Sequence, residues 1–176
     1  LGTPGVAKTK AVTLLRDHID GFPDDGYYWR PLDNFTTPPQ LFGPPDVKAL
    51  REEGVWRHVT DNTMIPALLV LLDEIFKAGS SCLQSLLSYL NERKFMNDVM
   101  IDVPCWTVIG LANEFPQGQE LNAMYDRLDL RAIISPISSS SGCMEMLRSQ
   151  NAGDVVPTLT VEQIIAAQDE VTKVEI

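Results

Sequence analysis

An unbroken apolar run, Leu68, Leu69, Val70, Leu71 and Leu72, leads straight into two adjacent carboxylates, Asp73 and Glu74. A run of this length, bounded by polarity, reads as a strand buried on both faces of a parallel sheet. The carboxylates then emerge at the strand's C-terminal end, where open α/β sheets bind their ligands. The stretch therefore asks for a ligand that needs two acids at that point.

The start of the chain supplies one. Gly2, Thr3, Pro4, Gly5, Val6, Ala7, Lys8 and Thr9 form a candidate phosphate-binding loop. Glycines let backbone N–H groups turn inward and approach phosphate oxygens closely. The helix expected over residues 8–19 aims its positive N-terminus at the same place. Lys8 would reach the β- and γ-phosphates and the Thr9 hydroxyl would ligate Mg²⁺. The strict pattern wants Gly before the lysine, where this chain has Ala7. The plainer alternative is a Gly/Pro turn that caps a helix. Such a loop normally follows a buried strand, and only Leu1 precedes it here. The expectation is a fold that lacks its first strand, in a piece of a longer protein.

Composition removes several other classes. The formal net charge of −10, with 14 Lys and Arg, argues against a broad nucleic-acid footprint. No apolar run approaches the roughly 18 residues of a membrane span. Cys82, Cys105 and Cys143 are odd in number and widely spaced, which suits a reducing, cytoplasmic setting. His18 and His58 lie too far apart in sequence for a zinc-ligand spacing, and a Ser/His/Asp triad has little support.

Along the chain, aromatic content makes residues 27–30 a strand. Four prolines and a glycine make residues 36–45 an ordered loop. Residues 46–53 read as a short helix capped by Asp46. Residues 55–60 alternate like one arm of a hairpin, in which Trp56 either packs on the surface or projects toward a partner. Residues 80–91 are a helix with Leu83, Leu86, Leu87 and Leu90 inward. A hairpin over 95–104 turns at Asn97 and Asp98. A second buried strand over 106–112 ends in Asn113 and Glu114. Then come a short helix over 121–128 carrying Asp126 and Arg127, a short strand over 132–135, a polar linker over 138–142 and a helix over 143–149. Thr160 and Gln163 have capping-box spacing for a last helix to Val171.

The order of these pieces is more specific than any one of them. GTPGVAKT, LFGPPDVKALREEGVWRHVT, VLLDEIFKAG, LLSYLNERKF, GLANEFPQ and AMYDRLDLR occur collinearly over residues 2–150. They resemble the MoxR family of AAA+ ATPases, nearest to its RavA branch in the helix-2-insert clade. The resemblance implies a P-loop NTPase fold with a three-layer αβα core on a parallel sheet over residues 1–137. The start of a helical lid would follow over 138–176, without the lid arginine such proteins carry. It implies that Gly2, Gly5, Lys8 and Thr9 belong to Walker A, where Ala before the lysine is common in the family. Asp73 would hold Mg²⁺ through water, and Glu74 would be the base that polarises the attacking water. Asn113 would sense that water or the γ-phosphate. Arg127 would be the finger acting on a neighbouring subunit's nucleotide, with Arg131 as second candidate. Residues 55–60 and 95–104 would face a ring pore or a substrate. The implied protein is a ring, most simply a hexamer, that hydrolyses ATP to remodel a protein partner with a von Willebrand A-type domain. A nucleic-acid motor of the same clade and a non-hydrolysing, nucleotide-gated assembly module are the rivals.

Overall fold

The computed structural model describes residues 1–149, 156–171 and 173. In chain order its elements are helix α1 (Lys8–Asp17), strands β1 (Ile19–Asp20) and β2 (Tyr27–Pro31), and helices α2 (Pro38–Phe42) and α3 (Val47–Glu52). Strand β3 (Leu69–Asp73), helix α4 (Ser80–Glu92) and strands β4 (Lys94–Asn97), β5 (Val99–Asp102) and β6 (Thr107–Gly110) come next. Helices α5 (Gln119–Asp126) and α6 (Ser140–Ser149), strand β7 (Leu159–Thr160) and helix α7 (Val161–Val171) complete the order. They fall into two compact units, Leu1–Gly2 with Asp25–Ile133, and Thr3–Asp24 with Ile134–Ile176.

In the first unit β3 is the central strand. It runs parallel to β2 on one side and to β6 on the other. Leu69, Val70, Leu71 and Leu72 are all buried, which is what an apolar run without alternation requires. Val70 and Leu72 enter a core with Tyr28, Leu41, Met64, Ile75, Leu83 and Leu86. Helix α4 buries Cys82, Leu83, Leu86 and Tyr89, and Leu87 and Leu90 pack partly against the same core. Full burial of a leucine such as Leu86 contributes about 1.5–3 kcal/mol, so this face fixes the helix on the sheet. The hairpin forms as expected, β4 antiparallel to β5, with Asp98 alone at the turn in the left-handed region (φ 66°). Strand β6 departs from expectation in burial. Thr107 is exposed and Val108, Ile109 and Gly110 are half-buried, because among the described residues β6 pairs with β3 alone in this sheet.

Further stretches of this chain differ from the sequence-based expectation. Residues 36–45 contain helix α2 despite their prolines. Pro38 and Pro39 stand at the first helical positions, where an N–H would find no acceptor in the helix. The Gln40 side chain accepts from the Thr37 N–H at 3.3 Å, and Leu41 and Phe42 are buried. Residues 55–60 are not a hairpin arm; they make one isolated bridge, Pro45 to His58. The Val59 and Asp46 N–H groups bond to the carbonyls of Pro44 and Arg57. Gly43, at φ 99°, permits this close passage, since a Cβ there would lie 2.0 Å from the Val59 carbonyl oxygen. Trp56 is 58% exposed. Residues 132–135 form no strand, because strand propensity in Ile133 and Ile134 is not matched by a ladder of partners.

Helix α3 is capped as its sequence implies: Asp46 Oδ1 accepts from the Ala49 N–H at 3.0 Å and Oδ2 from Arg57 Nε at 3.0 Å. The Ala49 N–H, and then Arg57, hold the Asp46 carboxyl below its ordinary value.

In the second unit α1 begins at Lys8 and ends at Asp17, two residues short of the expected 19, because Ile19 and Asp20 leave the helix to pair in parallel with Leu159 and Thr160. Helix α6 starts at Ser140, inside the stretch read as linker. Helix α7 starts with the expected capping box: the Thr160 N–H donates to Gln163 Oε1 (2.9 Å) and the Gln163 N–H to Thr160 Oγ1 (3.3 Å). The range 138–176 extends partly outside the described residues.

Candidate functional site

The chain leaves β3 at Asp73 and enters a 3₁₀ turn, Ile75–Lys77. Between them Glu74 takes a left-handed conformation (φ 55°, ψ 41°). A non-glycine residue pays for that conformation, and such residues gather at functional sites. Two contacts hold it there. The Glu74 N–H donates to Asp73 Oδ1 at 3.0 Å, and the Ile75 N–H donates to the Leu111 carbonyl at 3.0 Å, just past the end of β6. Ile75 is fully buried. Gly110 makes the room, since a Cβ there would meet Ile75 Cδ1 at 2.9 Å.

With its backbone fixed, Glu74 points its carboxylate at the end of the next strand. Asn113 Nδ2 donates to Glu74 Oε1, and Lys77 Nζ lies 3.3 Å from Glu74 Oε2. Ala112 and Asn113 follow β6. Glu74, Lys77 and Asn113 line a cleft of about 150 Å³ with Glu114 and Phe115 on its rim. Two strand ends thus bring together two residues 39 apart in sequence. Gly2 belongs to the same unit, and its N–H donates to the Ala112 carbonyl at 3.1 Å.

The other unit carries the rest of the loop. Gly5 (φ 85°) and Ala7 (φ 57°) are both left-handed. Left-handed residues among right-handed ones turn successive N–H groups to one side, which is the geometry of an anion-binding nest. Ala7 therefore adopts the conformation for which the strict pattern asks for glycine. The loop ends on α1, whose first turn carries no acid. Lys8 is buried, and its Nζ donates to the Thr3 carbonyl at 3.0 Å. Thr9 opens the helix beside it.

The two arginines lie in the first unit and are exposed. Arg127 donates to Asn91 Oδ1 at 3.1 Å and to the Ala123 carbonyl at 3.0 Å. Arg131 lies over the Tyr125 ring at 4.1 Å and donates to the carbonyls of Leu128 and Tyr125. Burial pushes the thiols of Cys82 and Cys105 up, away from the thiolate form a nucleophile needs. Sequence reasoning passed over Lys77. The signal was available, because a cation three residues after an acid meets it once a helical turn follows the strand.

Known proteins place this geometry in context. A model of the MoxR domain in the MoxR-vWA-beta-propeller ternary systems matches residues 1–174. Two uncharacterised proteins of Methanocaldococcus jannaschii are 32% and 34% identical over 177 residues, covering all of this chain and 46% of each of theirs. A structural protein of Acidianus two-tailed virus is 29% identical over 139 residues, 78% of this chain and 22% of that protein. The chain spans about half the length of the two archaeal relatives. The crystal structure of a proposed ATPase from Cytophaga hutchinsonii superposes with a TM-score of 0.69 at 19% identity. It covers 98% of this chain and 52% of that one, and the likeness is one of fold. Among the described residues no helix is long and apolar enough to cross a membrane.

Proposed function

Because the chain belongs to the MoxR family, we propose that it is the nucleotide-binding part of an AAA+ ATPase, hydrolysing ATP in a ring to remodel a protein partner. The observation that carries the reading is the Asn113 amide bonded to the Glu74 carboxylate, at the ends of adjacent parallel strands and inside a cleft. Paired donors and acceptors at the C-terminal edge of such a sheet are where ligands bind.

In this reading Gly2, Thr3, Pro4, Gly5, Val6 and Ala7 offer backbone N–H groups to the phosphates, and Lys8 contributes charge. The donors fit Mg²⁺ as well: the Thr9 hydroxyl and the Asp73 carboxylate are hard oxygens, and this ion takes one or two carboxylates while keeping water. Bound Mg²⁺ would offset charge on the terminal phosphates. Glu74 takes a proton from the attacking water, and Asn113 orients that water or the γ-phosphate. Phosphoryl transfer needs position and charge stabilisation more than covalent chemistry. Arg127, with Arg131 as alternate, would reach a neighbouring subunit's nucleotide and tie hydrolysis to assembly. Residues 1–137 are the core and 138–176 the beginning of the lid. The partner carries a von Willebrand A-type domain, as the name of the matching family suggests. The RavA branch, the helix-2-insert clade, a hexamer and a cytoplasmic setting belong to the same proposal.

Glu74→Gln tests it. The variant is expected to bind ATP as the parent does, and to lose phosphate release by about 10²–10⁴-fold, the worth of a positioned base. Undiminished release removes Glu74 from that role. A parent chain that binds ATP and assembles without releasing phosphate is a gated assembly module. Strong stimulation by DNA makes it a nucleic-acid motor.

A further inference from the structure

We propose that Asn91 is the positioning residue of Arg127: its amide oxygen, a neutral acceptor, fixes the guanidinium and leaves its charge for a phosphate of a neighbouring copy's nucleotide. The inference rests on the reading of Arg127 as the finger, and it names the residue that aims it.

Both side chains stand on backbone that is held in place. Asn91 lies in the last turn of α4, a helix seated by the burial of Leu83, Leu86 and Tyr89. Arg127 caps the C-terminus of α5, and its N–H donates to the carbonyl of Met124 at 3.2 Å. Met124 is fully buried. Leu87 and Leu90 of α4 and Leu121 of α5 pack against the core that contains it. Two helices seated in one core thus bring together side chains 36 residues apart in sequence.

A free arginine samples many rotamers and must give them up when it meets a phosphate. Here two contacts remove that freedom beforehand. Arg127 Nε donates to Asn91 Oδ1 at 3.1 Å, and Nη1 donates to the Ala123 carbonyl at 3.0 Å. The second bond ties the side chain to its own helix. The first ties it to another helix, and so sets its direction. Neither contact uses Nη2.

The kind of acceptor matters too. Among the described residues Arg127 has no ion-pair partner, and the adjacent acid, Asp126, faces Arg131 at 3.9 Å. Arg131 is the opposite case: it lies over the Tyr125 ring at 4.1 Å and beside that acid, so part of its charge is already answered. A guanidinium held by amide and carbonyl oxygens keeps its whole charge for a phosphate.

The experiment uses the whole chain and reads the turnover gained once it is concentrated enough to assemble. Arg127→Ala is expected to lower that gain by about 10³-fold or more. Asn91→Ala is expected to lower it by about three- to thirtyfold at unchanged KM, and by less than about twofold when Arg127 is already alanine. Asn91→Asp puts a charge where the neutral oxygen was, and is expected to lower it by about two- to fivefold. In ¹⁵N relaxation the Arg127 Nε–H group should stay as ordered in Asn91→Asp as in the parent, and should loosen in Asn91→Ala. Four outcomes overturn the inference: a rise in KM, an equal loss in the Arg127→Ala background, an Asn91→Asp chain as fast as the parent, or an Nε–H group unchanged in Asn91→Ala. If Arg127→Ala turns over like the parent, the finger reading fails and takes the inference with it. If Arg127→Ala is slow and Asn91→Ala is not, the inference fails alone.

Discussion

Helices α4 and α7 carry similar apolar spacing and meet different surroundings. Helix α4 buries Cys82, Leu83, Leu86 and Tyr89 in the core of its unit. Helix α7 buries none of its described residues, and Ile165 is 45% exposed. The contrast extends to the two units. Among the described residues, Val12 is the one buried apolar side chain that belongs to the unit of Thr3–Asp24 and Ile134–Ile176. Periodicity thus reports that a segment is helical, and burial must be learned from what packs on it. It also follows that the unit holding Glu74 and Asn113 owns its core, so the site stands on packed side chains.

Three substitutions would sharpen or break this contrast. Leu72→Ala removes a fully buried side chain from the core, and is expected to cost about 2–5 kcal/mol in a urea titration. A cost as small as that of a surface change would mean that the β3 core is not what holds this unit. Gly110→Val sets a branched side chain against Ile75, and is expected to cost about 1–3 kcal/mol by the same measurement. It should also lower turnover beyond its effect on stability, because Ile75 anchors the turn that presents Glu74. Ile165→Ser on α7 should stay within about 0.5 kcal/mol. A loss as large as that of Leu72→Ala would show that α7 is buried after all, by a surface of another copy or partner.

Much of the local structure was legible because it depends on neighbours in sequence. The Asp46 cap, the capping box of Thr160 and Gln163, the turn at Asp98 and the strand through Leu69–Asp73 each follow from a few adjacent residues. What escaped depends on contacts across the chain. Helix α2 exists because Leu41 and Phe42 find a core, and its prolines happen to occupy the positions that tolerate them. Residues 55–60 take their path from the passage of Val59 beside Gly43, which no alternation pattern records. The two-residue pairing of Ile19 and Asp20 with Leu159 and Thr160 is too short to leave a periodic signal. In the site, strand-end logic pointed to Glu74 and Asn113, and the structure brings them together. Lys77 was passed over although its i,i+3 spacing from Glu74 was on view, because the spacing turns into a contact only where the chain makes the turn that Ile75 and Leu111 anchor.

That anchor between Ile75 and Leu111 has a mechanical result. It ties the exits of β3 and β6 together, so the backbones that carry the acid and the amide are joined by a bond of their own and are not held in register by the strand ladder alone.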